Sequence, residues 1–446
     1  MMADPQGRRQ KSQASLTVGA GCIRARRTLY AAHDSRRCHR AGRRVAGVSA
    51  ALHLQQRGRS VLLVDRRGPG EETSYGNAGI IQREGVVPYP FPRDPALLVR
   101  YAFNLMPEAN LHWSALPRIA PWLYHYWRAS TPARIDATAR GMRPLVERCI
   151  PDHEALMGPA GVLGLMRRTG YLRVYRTTEA LEAEIAKDAL YRVTYGVNFQ
   201  PLDRAQVAAL EPHLKDTVVG GVLMPDPASV ADPGAVVKAY ARLFEERGGR
   251  VLRGEARTLR EAGSGWEVQT AEDTASAPTA VLALGPWADD VFRALGYRFP
   301  LGVKRGYHRH FRAEGNATLD RPVLDAERGY VLAPMAAGIR LTTGAEFANR
   351  DAPPTPVQLA RAEPSAREIF PLGTPADDQT WLGRRPCLPD MLPIVGPAPR
   401  HRGLWLDFGH HHLGFTLGPV TGRLLAEMMT GETPFTDPAP YRAERF

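Results

Sequence analysis

The segment that most constrains this chain is VAGVSAALHLQQRG followed by SVLLVD, across residues 45–65. Apolar residues at Val48, Ala51, Leu52 and Leu54 recur at helical spacing and Gly58 supplies a stop, so a helix is expected here. SVLLVD (60–65) then reads as a buried strand ending in an acid. Gly47 and Asp65 lie 18 residues apart. That spacing fits the second half of a dinucleotide-binding βαβ unit, where an acid about 20 residues beyond the glycines bonds a ribose hydroxyl.

The first half of that unit is damaged. With Gly47 as the third glycine of G-x-G-x-x-G, Gly42 is the first and Arg44 stands in place of the second. The second glycine exists so that backbone can approach a pyrophosphate, and an arginine intrudes on that approach. SRRCHRA (35–41) occupies the place of an apolar strand without being apolar. LTVGAG (16–21) has strand-then-GxG character, but it lacks the third glycine and lies too far from Asp65.

Composition narrows the class. The chain has 446 residues, 44% hydrophobic and 23% charged, which suits a globular enzyme and excludes a largely disordered, coiled-coil or collagen-like protein. No apolar run approaches the ~20 residues of a membrane-spanning helix. Cys22, Cys38, Cys149 and Cys387 are too scattered for a disulfide framework, so a reducing compartment is expected. The net charge of +12 is local: residues 1–44 hold 11 Lys+Arg against two acids, and the remainder is near neutral. A basic excess confined to one end argues against a nucleic-acid partner for the body. The terminus itself reads as a transit-type peptide, a basic arm or a non-native stretch; no apolar core marks a secretory signal.

RRGPGEETSYGNAGIIQ (66–82) follows the strand as a Gly-rich polar loop, of the kind whose amides form anion-binding nests. Further segments are LALGPWADDV (282–291), KRGYHRHF (304–311), YVLAPMAAGIRLTTGAEF (330–347), WLGRRPCLPDMLPIVG (381–396) and FGHHHLGFTLGPVTGRLLAEMMTG (408–431). In this order they resemble the flavin-dependent oxidoreductases of the D-amino-acid oxidase superfamily, with most likeness to the D-amino-acid dehydrogenase branch. The likeness runs from about residue 45 to the end of the chain.

The resemblance implies an α/β fold in which a Rossmann-like FAD-binding domain is interleaved with an antiparallel-sheet substrate domain. The expected FAD domain takes residues 41–100, 205–290 and 380–446; the substrate domain takes 101–204 and 291–379. Residues 1–40 are expected to be an irregular basic terminus, non-native or disordered. FAD would be held by Gly42, Gly47, Asp65, Arg66, Thr73, Ser74, Gly76, Asn77, Ala78, Gly285, Trp287, Gly409, His410, Leu413, Gly414 and Thr416. No metal is expected, because three consecutive histidines (410–412) cannot converge on one ion.

The implied activity is oxidative deamination of a D-amino acid or related secondary amine, by hydride transfer to flavin N5. Proline-, hydroxyproline- or glycine-type substrates fit the same chemistry, and an inactive chain with a damaged FAD fingerprint is the opposing reading. A substrate carboxylate calls for a bidentate arginine. Where some relatives place one, this chain has Met335, leaving Arg340, Arg384 and Arg385 as replacements. Tyr330, His310, Arg340 and His412 are the substrate-contact candidates. Strand alternation puts Tyr307, Arg309 and Phe311 on one face and His308 and His310 on the other. The electron acceptor is either a quinone chain or oxygen. The expected location is the cytoplasm, free or peripheral at the inner face of the cell membrane. LHWSALPRIAPWLYHYWRASTPARI (111–135) is an aromatic amphipathic stretch that serves as a core contact, a subunit contact or an interfacial belt.

Overall fold

A computed structural model describes residues 37–41 and 45–446. Helix Val45–Gln56 buries Leu52 and Leu54 completely, Gly58 takes a positive φ of 73°, and strand Ser60–Asp65 follows. Arg37–Ala41 pairs in parallel with Ser60–Asp65 on one side and Thr279–Leu282 on the other. This corrects the expectation of an irregular terminus over residues 1–40 in its last four positions, 37–40, which belong to a strand although they are not apolar. Ladder hydrogen bonds are made by backbone, so a helix packed on two neighbouring parallel strands fixes the intervening chain as a strand whatever its composition.

Arg250–Ala262 and Leu404–Phe408 extend the parallel sheet on either flank. Antiparallel strands complete it to eight: Gly265–Thr270 and Thr274–Ala277 at one end, Ile394–Pro397 at the other. Helix Gly414–Thr430 ends at Gly431, which adopts the left-handed conformation at φ 74°. Its Gly418 and Gly422 rest directly on the backbone of helix Val45–Gln56.

A second sheet has eleven strands and is mostly antiparallel. Strand Gly302–Ala313 is its hub, pairing with Gly338–Thr342 through His310↔Arg340 and with Trp381–Cys387 through Lys304↔Arg385. Tyr307 and Phe311 pack into a buried cluster with Leu332 and Leu341. His308 and His310 lie on the opposite face, their rings 5.2 Å apart. Among the described residues, no helix is long and apolar enough to cross a membrane.

Candidate active site

A cavity of about 860 Å³ opens where these elements meet. Its walls include Val45 and Ala46 at the start of the first helix, the 73–78 loop, Gly285–Pro286 after strand Thr279–Leu282, His410–His412 before the last helix, and Gly414 and Phe415 in its first turn. The Gly302–Ala313 and Trp381–Cys387 strands contribute Lys304, Trp381 and Arg385.

Two helices thus present their N-termini to one cavity. Neither has an acid in its first turn, and no side chain caps Gly414–Thr430. Helix N-termini favour anions through their outward N–H groups and dipoles. This donor set fits a cofactor that carries phosphates and gains negative charge on reduction, as FAD does.

Of the expected cofactor residues, Thr73, Ser74, Gly76, Asn77, Ala78, Gly285, His410 and Gly414 line the cavity. Ser74 Oγ accepts the Val45 N–H at 3.2 Å, which ties the loop to the first helix. Others lie outside the lining. Gly47 is buried within the first helix, and Leu413 is part of the core. Gly409 takes a positive φ of 88° against the Leu388 side chain. Thr416 Oγ1 accepts the Gln82 N–H at 3.1 Å, fixing the short strand Ile80–Ile81. Asp65 ends its strand, with the Arg67 N–H on its Oδ1 at 3.2 Å. Arg66 lies over the Trp287 ring at 4.6 Å. Gly42 falls outside the described residues.

Among the substrate-contact candidates, Tyr330 and His412 border the cavity. The Tyr330 hydroxyl is nevertheless turned to Asp325 Oδ2 (2.9 Å) and the Ser365 carbonyl (3.1 Å). His310 and Arg340 are buried behind the loop and bond one another, so both leave the group of direct substrate contacts. Of the three arginines weighed against Met335, Arg385 is the one in the cavity wall. It donates to the Gly344 carbonyl (2.6 Å) and the Thr343 carbonyl (3.2 Å). Beside it, Lys304 Nζ donates to Tyr126 Oη at 3.0 Å and lies 4.1 Å over the Tyr126 ring.

These charges set the local electrostatics. Burial, then Arg385 and Lys304, bring the His412 pKa down to about 3, so its ring is neutral near pH 7. Burial likewise holds His411 well below the ordinary histidine range, with His412 and Lys304 adding to the effect. Burial pushes the Cys387 thiol upward. The charged side chains of the lining are thus Lys304 and Arg385, with Glu108 and Asp407 as its acids, beside the neutral rings of His411 and His412 and the aromatic walls of Tyr89, Tyr126 and Tyr171. Lys304, Tyr89 and Tyr171 were missed by the sequence reading. The one usable signal was that Lys304 and Arg385 both lie in motifs already singled out; their pairing across two strands is a matter of register.

Comparison with known proteins follows the same line. The family described as "DAO: FAD dependent oxidoreductase" matches residues 45–428. A D-amino-acid oxidase of Bradyrhizobium diazoefficiens is 30% identical over 420 residues, covering 91% of this chain and 97% of that protein. A D-amino acid dehydrogenase of a Methylobacterium species is 30% identical over 401 residues, covering 87% and 94%. In fold, the chain is similar to glycine oxidase from Geobacillus kaustophilus, with a TM-score of 0.69 at 21% identity over 92% of this chain and 99% of that one. It is also similar to L-proline dehydrogenase from P. horikoshii, with a TM-score of 0.68 at 17% identity over 92% and 97%.

Proposed function

The chain belongs to the DAO family of FAD-dependent oxidoreductases, and from that premise we propose that it oxidises the C–N bond of a D-amino acid, a cyclic secondary amine such as D-proline included. The observation that carries this reading is Arg385, a half-buried guanidinium in the wall of a cavity that also holds the 73–78 loop. FAD, when bound, supplies the hydride acceptor.

The chain's own residues do the rest. Arg385, with Lys304 beside it, receives the substrate carboxylate and fixes the Cα–H direction. The same positive charges lower the pKa of the substrate ammonium and favour the neutral amine that oxidation requires. The neutral ring of His412 adds no competing charge. Tyr126 and Tyr171, both buried, exclude water from the reacting carbon.

The surface around residues 89–134 supports contact with an anionic membrane and a lipid-soluble electron acceptor. Seven of the thirteen large apolar side chains exposed among the described residues fall within 89–127, Phe103 and Trp113 among them. Arg93, Arg100, Arg118, Arg128 and Arg134 are all exposed with them. The two acids of the stretch are engaged locally: Asp94 caps the Leu97 N–H and Glu108 accepts the Tyr101 hydroxyl.

The test of the catalytic reading is anaerobic addition of single amino acids to FAD-loaded protein. A D-amino acid is expected to bleach the yellow flavin absorbance while its L enantiomer does not. Bleaching by dithionite but by no amino acid would refute the reading.

A further inference from the structure

Arg340, on strand Gly338–Thr342, is 3% exposed and makes three kinds of contact. Its Nε donates to His310 Nε2 at 2.9 Å. Its NH1 donates to the Tyr75 carbonyl at 3.0 Å and to the Asn77 carbonyl. Its guanidinium also lies 5.5 Å from the centre of the Tyr75 ring.

A guanidinium can only donate. His310 Nε2 is therefore the bare nitrogen, and the ring proton sits on Nδ1, which donates to Asp377 Oδ2 at 2.6 Å. The His310 backbone N–H donates to the same oxygen at 2.7 Å. Both ring nitrogens are thus engaged. His308, His310 and Asp377 cluster closely enough to suggest a metal site. A cation there would have to displace the arginine from His310, against its charge. The arrangement is instead a chain, running from Asp377, 29% exposed, through His310 to Arg340 and the loop.

We propose that Arg340 is a positioning residue for the cofactor, held by His310 and Asp377 so that it aims the 75–78 peptides. This rests on the reading of the 73–78 loop as the flavin loop. In a trans peptide the C=O and N–H point in opposite directions. With the Tyr75 and Asn77 carbonyls drawn to Arg340, the N–H groups of Gly76 and Ala78 face the other way. Those two residues line the cavity and Arg340 does not. Two donors are thereby presented where a bound flavin gains charge. Trp381 backs the loop from the side: a β-carbon at Gly76 would stand 1.8 Å from its Cζ3, so the peptide can lie there only as glycine.

The test uses full-length, FAD-loaded R340M, R340K, H310Q and D377N. The readouts are FAD affinity, the reduction potential of the bound flavin, and Tm. R340M is expected to weaken FAD binding about tenfold or more and to make the flavin harder to reduce. R340K, which can still donate to both carbonyls, is expected to recover most of the affinity. H310Q and D377N are expected to move both quantities the same way by less. Unchanged affinity and potential in R340M, or a fall in Tm alone, would overturn the proposal. Should R340M fail to fold, D377N decides, since its side chain reaches the surface. None of these readouts needs a substrate. A wild-type protein that binds FAD but is reduced by no amino acid would remove the proposed activity and leave this test standing.

Discussion

Gly422 lies on the backbone of Ala50: a β-carbon at 422 would stand 2.6 Å from Ala50 N and 2.9 Å from Ala50 Cα. One turn earlier, a β-carbon at Gly418 would meet Ala46 N at 2.9 Å. Residues four apart share a helix face, so Gly418 and Gly422 form one glycine edge. That edge brings the two helices together until both N-termini reach the cavity. Gly422→Ala is expected to destabilise the protein by about 1–3 kcal/mol, the usual cost of overpacking, and to weaken FAD binding. Thermal melts with and without FAD check this; a wild-type Tm would show that the backbones have room to separate.

Arg385→Met is expected to act on substrate binding. Loss of a charged hydrogen bond of about 1.5–3 kcal/mol corresponds to roughly a 10- to 150-fold rise in KM. FAD affinity should hold, because the contact proposed for Arg385 is to the substrate carboxylate. Steady-state kinetics on the amino acid that bleaches the flavin measure the split. A variant with unchanged KM would remove Arg385 from the substrate site.

Glu84 gives a pH-dependent prediction. Burial raises its pKa from 4.5 to about 7, with Gln82 Nε2 donating to Oε1 at 3.1 Å. The folded state therefore holds this proton more tightly than the unfolded chain. Stability from Glu84 is present below pH 4.5, falls as pH rises from there through 7, and is flat above. Glu84→Gln should match wild type in Tm near pH 4 and exceed it by a margin that grows up to about pH 7 and stays constant above. A constant margin across that range would contradict the shifted carboxyl.

The exposed aromatic face can be tested with vesicles. Full-length, FAD-loaded protein is expected to sediment with phosphatidylglycerol vesicles and less with phosphatidylcholine, and salt should weaken the binding. The double variant Phe103→Ser, Trp113→Ser should lose most of the sedimentation and keep its flavin spectrum. Equal sedimentation by wild type and variant would reject this face as the contact. Self-association by the wild type alone, abolished in the variant, would reassign the face to a second copy of the chain.

Much of the cofactor half was legible because its determinants are local. Gly58 and Gly431 stop helices through φ values that only glycine adopts readily, and residues 61–64 (VLLV) are continuously apolar because parallel strands are covered on both faces. The strand Arg37–Ala41 was not legible, since its place comes from its neighbours' ladders and not from its own residues. Arg340 and His310 were read as substrate contacts for a similar reason. Each is a plausible ligand alone, and what each donates to or accepts from depends on residues up to 265 positions distant.

By itself, the sequence determined the helix–strand unit ending at Asp65, the polar loop that follows it, and the family pattern that runs to the last helix. These are written in spacing, glycine placement and apolar period, which a chain carries before it folds. Only the tertiary structure decided that Lys304 and Arg385 stand side by side in the cavity, that Arg340 serves the loop, and that Gly422 presses on Ala50. Those relations are set by strand register and by backbone approach between distant segments, quantities with no signature in a single chain position.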